Sequence, residues 1–308
     1  MDGPLAANSG HQGTAMALAP LAHVLYSRVM RYDPADPNWV DRDRFILSAG
    51  HASILQYAML HLSGTSLSAD DLRAFRQWGS ATPGHPEAGH TPGVEVTTGP
   101  LGQGFANGVG MAMSERLLRE QFGADAINHH TWVIAGDGCL MEGVSHEAAS
   151  LAGHLGLDRL VCVFDDNRIT IDGDTDLAAS DDVAARFRAY GWDVAELGDI
   201  GEDLDALETA LETARTPNGK PRLLVLRTHI GFPSPDHTDS HAAHGLAFSA
   251  EDVTRTKAVM GIPDEPFYLP ADLIESYREV TASAGAHAHS AWESASHGAR
   301  QSLSLIHI

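Results

Sequence analysis

Two short apolar segments, each followed by a polar triplet, constrain the fold of this chain more than any other feature. Residues 132–135 precede the triplet Gly-Asp-Gly at 136–138, and residues 160–164 precede Asp-Asp-Asn at 165–167. Each apolar segment has the length of a buried strand, and the gap between them has room for one helix. The pattern therefore predicts a strand–helix–strand unit with two parallel strands side by side.

Asp137 and Asn167 follow the ends of these two strands. Because parallel strands end at the same edge of a sheet, we expect the two side chains to meet there, where open α/β folds bind ligands. Their oxygens suit a hard cation such as Mg²⁺, which completes its shell with water, backbone carbonyls and phosphates. Taken alone, the pattern is equally compatible with Asp137 capping a helix and Asn167 filling a turn. Gly136 and Gly138 suit a tight turn, with or without a bound phosphate.

Strand and helix patterns alternate along most of the chain. Further strands are expected at residues 44–48, 193–197 and 222–227, and helices at residues 15–30, 105–122, 181–190 and 203–214. A capping box at Ser68 predicts a short helix through Trp78, and residues 79–104 read as a long loop. The fold class expected from this alternation is α/β, with a doubly wound, mostly parallel sheet and helices on both faces.

Composition excludes several classes of function. The formal net charge of −21 over 308 residues disfavours nucleic acid as a partner, since that binding depends on Lys and Arg. Cys139 and Cys162 are too few for a disulfide framework, and we expect both to be reduced. No apolar run is long enough to span a membrane and no signal peptide is evident, so a cytoplasmic location without membrane contact is expected.

Residues 136–143, together with the following Asn167, resemble the thiamine diphosphate signature of transketolases. Five further blocks occur in the order of that family. They are Ser9-Gly10-His11 and residues 47–51, 82–87, 97–104 and 240–245. Because the matches extend from Asn8 to about Trp292, the resemblance covers nearly the whole chain. It implies the thiamine diphosphate-binding fold, and within it the domain that binds the diphosphate.

The resemblance also assigns roles to individual residues. The metal ion, Mg²⁺ or Ca²⁺/Mn²⁺ in its place, is assigned to Asp137, Asn167 and the backbone carbonyl of Ile169. Thiamine diphosphate is assigned to His51, Gly99, Pro100, Leu101, Gly136, Gly138, Glu142, Asn167 and His244. The catalytic contacts with the sugar are assigned to His11, His85 and His244.

Other candidates rank lower in this comparison. His241 lies in the same block as His244 but does not directly precede the matching Gly245. Glu142 and Glu147 occupy positions that help to join two subunits in the family, although Glu147 equally fits an exposed acid in the first turn of a helix. Five histidines match nothing in the family and are expected in solvent: His129, His130, His287, His289 and His297.

The composition changes at Ala282, after which Ser, Ala, His and Gly dominate. We expect residues 1–281 to form the diphosphate domain and residues 282–308 to form a linker or disordered tail outside the family. Met1 falls partway into the first helix of the family, so both ends read as the ends of a fragment.

The function implied is transfer of a two-carbon ketol unit from a ketose phosphate to an aldose phosphate. In the family the cofactor lies between this domain and a pyrimidine-binding domain of another subunit, so we expect a homodimer at full length and little or no turnover by this chain alone. The alternatives are the amino-terminal subunit of a split transketolase, a non-catalytic interaction module, and dihydroxyacetone synthase. Deoxyxylulose-phosphate synthase and the 2-oxo acid dehydrogenases resemble the chain much less.

Overall fold

A five-stranded sheet forms the centre of the protein, for which a computed structural model describes residues 1–65 and 67–296. The strands are β1 (Arg44–Leu47), β2 (Thr131–Gly136), β3 (Leu160–Asp166), β4 (Asp193–Gly198) and β5 (Arg222–Arg227). Every neighbouring pair within the sheet is parallel. The strands expected from the sequence are therefore confirmed, with bounds that differ by one or two residues.

The strand order is β1-β2-β3-β5-β4. β2 pairs with β3 in a register that sets Gly136 opposite Asp165. The residues that follow these two strands consequently leave the sheet side by side, at the edge where parallel sheets bind ligands.

Thirteen α-helices surround the sheet in the described part of the chain. In chain order they are α1 (Asp2–Ala7), α2 (Gln12–Ala17), α3 (Ala19–Val24), α4 (Ser53–Leu62), α5 (Ala69–Arg73), α6 (Gln103–Phe122), α7 (Asp137–Met141), α8 (Gly143–Leu155), α9 (Val183–Ala189), α10 (Leu204–Arg215), α11 (Ala242–Gly245), α12 (Ala250–Met260) and α13 (Ala271–Ala295). A π-helical turn covers Leu25–Val29, and 3₁₀ turns cover Gly50–Ala52 and Thr175–Leu177.

Successive residues of each central strand point to opposite faces of the sheet, as the period of two requires. Leu47 and Ile134 pack beneath α3, α4 and α10 on one face. Ile46, Val133 and Cys162 pack beneath α6, α8 and α9 on the other. Both faces are covered by helices, which is why these parallel strands are apolar along their whole length. The doubly wound α/β architecture is thereby confirmed.

The single helix expected over residues 15–30 is wrong. α2 ends at Ala17, α3 begins at Ala19, and the π-helical turn completes the segment. Pro20 lies in the first turn of α3, where its missing N–H would be unpaired in any case. Inside one continuous helix the same proline would remove a hydrogen bond and clash with the preceding turn, so the chain starts a new helix there.

The helix that follows Ser68 is shorter than expected. The capping box is present, with Asp71 N–H donating to Ser68 Oγ at 3.2 Å, but α5 ends at Arg73 rather than at Trp78. Trp78 is fully exposed, so a longer helix would gain no buried apolar face. The described residues between Arg73 and Gln103 contain no helix or strand, which confirms the long loop.

The tail expected from Ala282 is also wrong for the residues that the structure describes. α13 continues through Ala295, and Trp292 Nε1 donates to the Ala126 carbonyl at 2.8 Å. His289 stacks on Trp39 with ring centroids 4.9 Å apart. Alanine is the best helix former, so a run rich in alanine can continue a helix that already packs on the domain. Residues 297–308, with His297, lie outside the described part.

None of the described helices is both long and apolar enough to cross a membrane. Cys139 and Cys162 are buried and free.

Candidate functional site

The site is built where β2 and β3 end. Asp137 is the first residue of α7, directly after β2, and Asn167 directly follows β3. Asn167 is buried, with 5% of its surface exposed. The structure therefore brings the two predicted metal ligands to one edge of the sheet.

Asp165 orients Asn167, a role that the sequence did not assign. Asn167 Nδ2 donates to Asp165 Oδ2 at 2.7 Å, and the Thr228 hydroxyl donates to the other carboxylate oxygen. The Ile169 N–H donates to Asn167 Oδ1 at 2.9 Å. Because Nδ2 is committed to Asp165, the oxygen of the amide faces the Ile169 segment, where the third predicted ligand lies.

Carboxylates crowd this edge of the sheet. Burial, followed by the negative charges of Asp165 and Asp166, raises the pKa of Asp137 to about 7. Burial likewise raises the pKa of Asp165 to about 6, although hydrogen bonds from Thr228 and Asn167 oppose the rise. A cation bound here would stabilise the charged carboxylates and relieve the repulsion that adds to the effect of burial.

The donor atoms fit a hard cation only in part. Within the described residues, no group of three or more His, Cys, Asp or Glu side chains could hold a metal ion by itself. Asp137, Asn167 and Ile169 instead offer oxygen donors and line a cavity of about 610 Å³. An oxygen set that leaves positions for outside ligands is typical of Mg²⁺ sites that also bind phosphates.

Four histidines from distant parts of the chain meet beside this edge. The His51 and His244 rings are stacked, with centroids 4.9 Å apart and an interplanar angle of 26°. The centroid of His11 lies 5.2 Å from that of His51 and 5.9 Å from that of His244. His85 is near enough to act electrostatically on His11 and His51. The cluster unites the histidines that the sequence proposed for cofactor and sugar.

Burial keeps these histidines neutral. It lowers the pKa of His51 to about 3 and that of His11 to about 4, and in both cases nearby positive or histidine groups lower it further. Burial also lowers the pKa of His85 and of His244. A neutral imidazole has one donor and one acceptor nitrogen, so at pH 7 each ring can both give and take a hydrogen bond.

His244 connects the cluster to the metal-ligand candidates. The backbone of Ile169 lies close enough to His244 to offset part of the effect of burial on the pKa of this ring. The segment that carries His244 is held against α2, since Gln12 Nε2 donates to the Leu246 carbonyl at 2.6 Å. Gly13 packs so closely on Ala243 that a Cβ atom at Gly13 would overlap the Ala243 carbonyl.

The loop before α6 closes the other side of the cluster. Gly99 has φ of +127°, and a Cβ there would lie 3.0 Å from the His85 ring. A Cβ at Gly138 would likewise lie 3.0 Å from Leu101 Cδ1. Leu101 is 39% exposed, so an apolar side chain is accessible beside the glycine-containing turn that follows β2.

The remaining predicted residues lie at the margin of the site. Pro100 is exposed, and nothing lies within 4 Å of where a Gly136 Cβ would be. Glu142 is exposed, with its Cβ packed on Gly102, and Glu147 is an exposed residue of α8. Contacts of Glu142 and Glu147 with a second subunit stay predictions.

The expectation that the unmatched histidines lie in solvent is wrong for three of them. His129 and His130 are 4% and 7% exposed, because they precede β2 in the interior and lie beside Asp41 and Asp43. His289 is half-buried on Trp39. His287 is exposed, as expected.

Sequence reasoning missed an arginine that reaches the cluster and a second one beside Asp166. Arg76 Nη2 lies 3.2 Å from His11 Nδ1. Arg227 Nη1 donates to the Asp166 carbonyl at 2.9 Å. The partners of both lie more than sixty positions away, so no local pattern could have indicated either contact.

Known proteins are similar to this chain over most of its length. The family described as "Transketolase, thiamine diphosphate binding domain" matches residues 1–303. The chloroplastic transketolase of Solanum tuberosum is 50% identical over 271 residues, which are 87% of this chain and 37% of that protein. Transketolase 1 of Aliivibrio fischeri is 50% identical over 297 residues, covering 95% of this chain and 44% of that protein.

A solved structure agrees with these relatives. The transketolase from Leishmania mexicana superposes with a TM-score of 0.93 at 43% identity, covering 98% of this chain and 45% of that one. The chain thus spans less than half the length of each of these three proteins. From the family match and the similarity of sequence and structure, the chain belongs to the transketolase family, within its thiamine diphosphate-binding domain.

Proposed function

We propose that this chain is the diphosphate-binding part of a transketolase that moves a two-carbon ketol unit from a ketose phosphate to an aldose phosphate. One observation carries the proposal: oxygen donors for a cation lie next to a cluster of neutral histidines, because Ile169 packs in one apolar cluster with Ala243, the residue before His244. A metal-bound diphosphate and a polyhydroxylated substrate need these two kinds of group next to each other.

The metal would be Mg²⁺, or Ca²⁺ or Mn²⁺ in its place. Asp137 would supply a carboxylate oxygen, Asn167 its amide oxygen and Ile169 its backbone carbonyl. Support comes from the raised pKa of Asp137, which burial causes first and the neighbouring carboxylates second, and from the amide orientation set by Asp165. The remaining ligands would be water and diphosphate oxygens, because the described residues do not form a complete cage.

Thiamine diphosphate would lie between the metal and the loop before α6. Gly136 and Gly138 would let the backbone approach the diphosphate, and Gly99, Pro100 and Leu101 would contact the aminopyrimidine. His51, His244 and Glu142 would complete its surroundings. When bound, this cofactor supplies a nucleophilic carbon and an electron sink.

The histidines would orient the sugar and carry protons. His11, His85 and His244 are neutral near pH 7 because burial lowers the pKa of each. A neutral ring can donate to a carbonyl or hydroxyl oxygen and accept a proton from a neighbouring hydroxyl. Excluding water from this half-buried cluster would strengthen those hydrogen bonds.

The chain would need a partner to act. In this proposal a pyrimidine-binding domain, on the same longer chain or on a separate one, completes the cofactor site, and the full-length protein is a homodimer. Sugar phosphates as substrates and a cytoplasmic location stay predictions. A split enzyme is the case in which that domain lies on a separate chain. A non-catalytic interaction module differs from this proposal, because an added pyrimidine domain would not give it turnover.

Calorimetric titration tests the proposal directly. We expect thiamine diphosphate to bind the purified chain weakly and only with Mg²⁺, with binding lost in Asp137→Asn and kept in Asp176→Asn. Asp176 is an exposed carboxylate that lines the same cavity, so it controls for charge. Ketol transfer should appear only when a pyrimidine-binding domain is added. Binding that is independent of Mg²⁺, or turnover by the chain alone, would contradict the proposal.

A further inference from the structure

Arg76 is fixed from several sides next to the histidine cluster. Its Nη1 donates to Ser9 Oγ at 2.8 Å, and its Nη2 lies 3.4 Å from the Gly84 carbonyl. Its guanidinium carbon lies 5.5 Å from the centroid of the Phe75 ring, which is itself buried. The same Nη2 lies 3.2 Å from His11 Nδ1. The position of the guanidinium toward His11 is therefore determined by neighbours other than His11.

The backbone of Arg76 adopts an unfavourable conformation. Arg76 has φ of +60°, in the left-handed region that non-glycine residues seldom adopt, and its N–H donates to the Thr82 carbonyl at 2.9 Å. Such conformations persist where the surrounding structure requires them, and they cluster at functional sites. Gly84 leaves room for the side chain, since a Cβ there would lie 3.4 Å from Arg76 Nε.

The partners of Arg76 differ from those of its neighbour on the same segment. Arg73 forms an ordinary exposed ion pair with Asp70 at 2.9 Å. In the described part of the chain, the hydrogen bonds of Arg76 go to a hydroxyl, a carbonyl and an imidazole. None of these partners carries a negative charge that would neutralise the guanidinium. The contacts therefore orient the guanidinium and do not form an ion pair.

The contact with Arg76 determines which nitrogen of His11 carries the hydrogen. Guanidinium has only N–H donors, so His11 Nδ1 must accept the hydrogen bond. Burial, and then the charge of Arg76, lower the pKa of His11 to about 4, so the ring is neutral and has a single N–H. That hydrogen must be on Nε2. Nε2 lies 3.8 Å from where a Gly245 Cβ would be, so it faces the segment that carries His244.

We propose that Arg76 is a positioning residue that holds His11 as the Nε2–H tautomer, so that the ring presents a hydrogen-bond donor toward the cleft shared with His51 and His244. Use of that donor by an oxygen of the sugar substrate rests on the proposed function. The tautomer itself does not, because it follows from contacts within this chain alone.

The native chain provides the first test. Nitrogen NMR of the protein labelled with ¹⁵N-histidine distinguishes a protonated from an unprotonated imidazole nitrogen, and His11→Gln identifies the His11 signals by their loss. At pH 7 we expect His11 Nε2 to be protonated and Nδ1 unprotonated. A proton on Nδ1 in the native chain would overturn the proposal without any Arg76 variant.

Variants provide the second test. In Arg76→Met we expect His11 to populate both tautomers and its pKa to rise, while staying below the ordinary value because burial is the larger cause. Arg76→Lys keeps the charge and should keep the Nε2–H tautomer as the major one. Arg73→Met, which removes an exposed arginine nearby, should leave the His11 spectrum unchanged. An unchanged tautomer and pKa in Arg76→Met would contradict the role of Arg76.

The same samples separate this proposal from the proposed function. If the chain shows the Nε2–H tautomer but no Mg²⁺-dependent binding of thiamine diphosphate, the proposed function fails and the positioning role is supported. If the cofactor binds but Nδ1 carries the proton, the positioning role fails instead.

Discussion

Asp137→Asn should stabilise the metal-free chain at neutral and alkaline pH. The pKa of Asp137 rises from 3.8 to about 7 on folding, first through burial and then through Asp165 and Asp166. The folded state therefore keeps a proton that the unfolded state releases, and the free energy of unfolding falls as the pH rises from about 4 to 7. At about 1.4 kcal/mol per unit, the loss is at most about 4 kcal/mol.

Asparagine has no charge to bury, so the variant should recover part of this loss. We expect a gain of about 2 kcal/mol at pH 8 and little change at pH 4, because the amide is still desolvated and Asp165 keeps its charge. Urea unfolding in EDTA at both pH values measures the gain. Adding Mg²⁺ should then raise the unfolding midpoint of the native chain but not that of Asp137→Asn.

Asp176→Asn is the matched control, since it removes an exposed carboxylate from the lining of the same cavity. It should change the unfolding free energy by less than about 0.5 kcal/mol. If Asp137→Asn were less stable than the native chain at pH 8 in EDTA, or gained equally at both pH values, the reasoning from a buried and crowded carboxylate would be refuted. Equal stabilisation of the variant by Mg²⁺ would refute the assignment of the ligand.

Three further predictions concern other parts of the molecule. Gly50→Ala places a Cβ 2.6 Å from Thr98 Oγ1 and from the backbone N of Gly99, so it should displace the loop before α6 and weaken thiamine diphosphate binding in calorimetry. Gly285→Val places its Cβ 2.6 Å from a backbone carbonyl beneath α13 and should destabilise the chain by about 1–3 kcal/mol in urea unfolding. His229→Asn removes a ring whose pKa is raised, first by its hydrogen bond with Asp239. Because this pair is half-exposed, we expect the variant to lose less than about 1 kcal/mol of unfolding free energy. Urea unfolding should show the loss at pH 6 and no loss at pH 9.

Each of these has a result that would count against it. Unchanged cofactor affinity in Gly50→Ala would mean that the loop does not depend on this close approach. If Gly285→Val had the unfolding free energy of the native chain, the packing of α13 on the domain would not contribute to stability. For His229→Asn the sign is decisive: a raised histidine pKa stabilises the folded state at low pH, so a larger loss at pH 9 than at pH 6 would exclude the ion pair as its cause.

The strands could be predicted from the sequence because parallel strands covered on both faces are apolar throughout. β2 and β3 each have such a run, and the polar residues that follow mark their ends. Helix bounds were harder to predict. The apolar spacing continues through Pro20, and only the fixed φ of proline makes the chain begin a new helix there.

The extent of α13 could not be read from composition. Ser, Ala, His and Gly dominate after Ala282, a mixture that is equally common in linkers. The helix is held by contacts with distant residues, as when Trp292 donates to the Ala126 carbonyl and His289 Nδ1 pairs with Asp33 at 2.9 Å. Such tertiary contacts override local composition and leave no local pattern in the sequence.

In the candidate site, too, local patterns predicted some residues and missed those that depend on tertiary contacts. Strand ends predicted that Asp137 and Asn167 would meet, because register follows from parallel pairing. Only the resemblance to transketolases brought the four histidines together, since they lie in separate loops and short helical turns that are distant in sequence. Neither approach found Arg76, whose contact with His11 depends on a left-handed backbone at an ordinary loop residue.

The strand order also determines how the molecule can assemble. β5 is the last strand in the described part of the chain, yet it lies between β3 and β4 and pairs with both. Until residues 222–227 have left the ribosome, β3 has an open edge and β4 has no neighbour in the sheet. Distant parallel pairings of this kind form slowly, and an unpaired apolar edge invites association with other chains. The nascent chain is therefore most exposed to aggregation between synthesis of β3 and synthesis of β5.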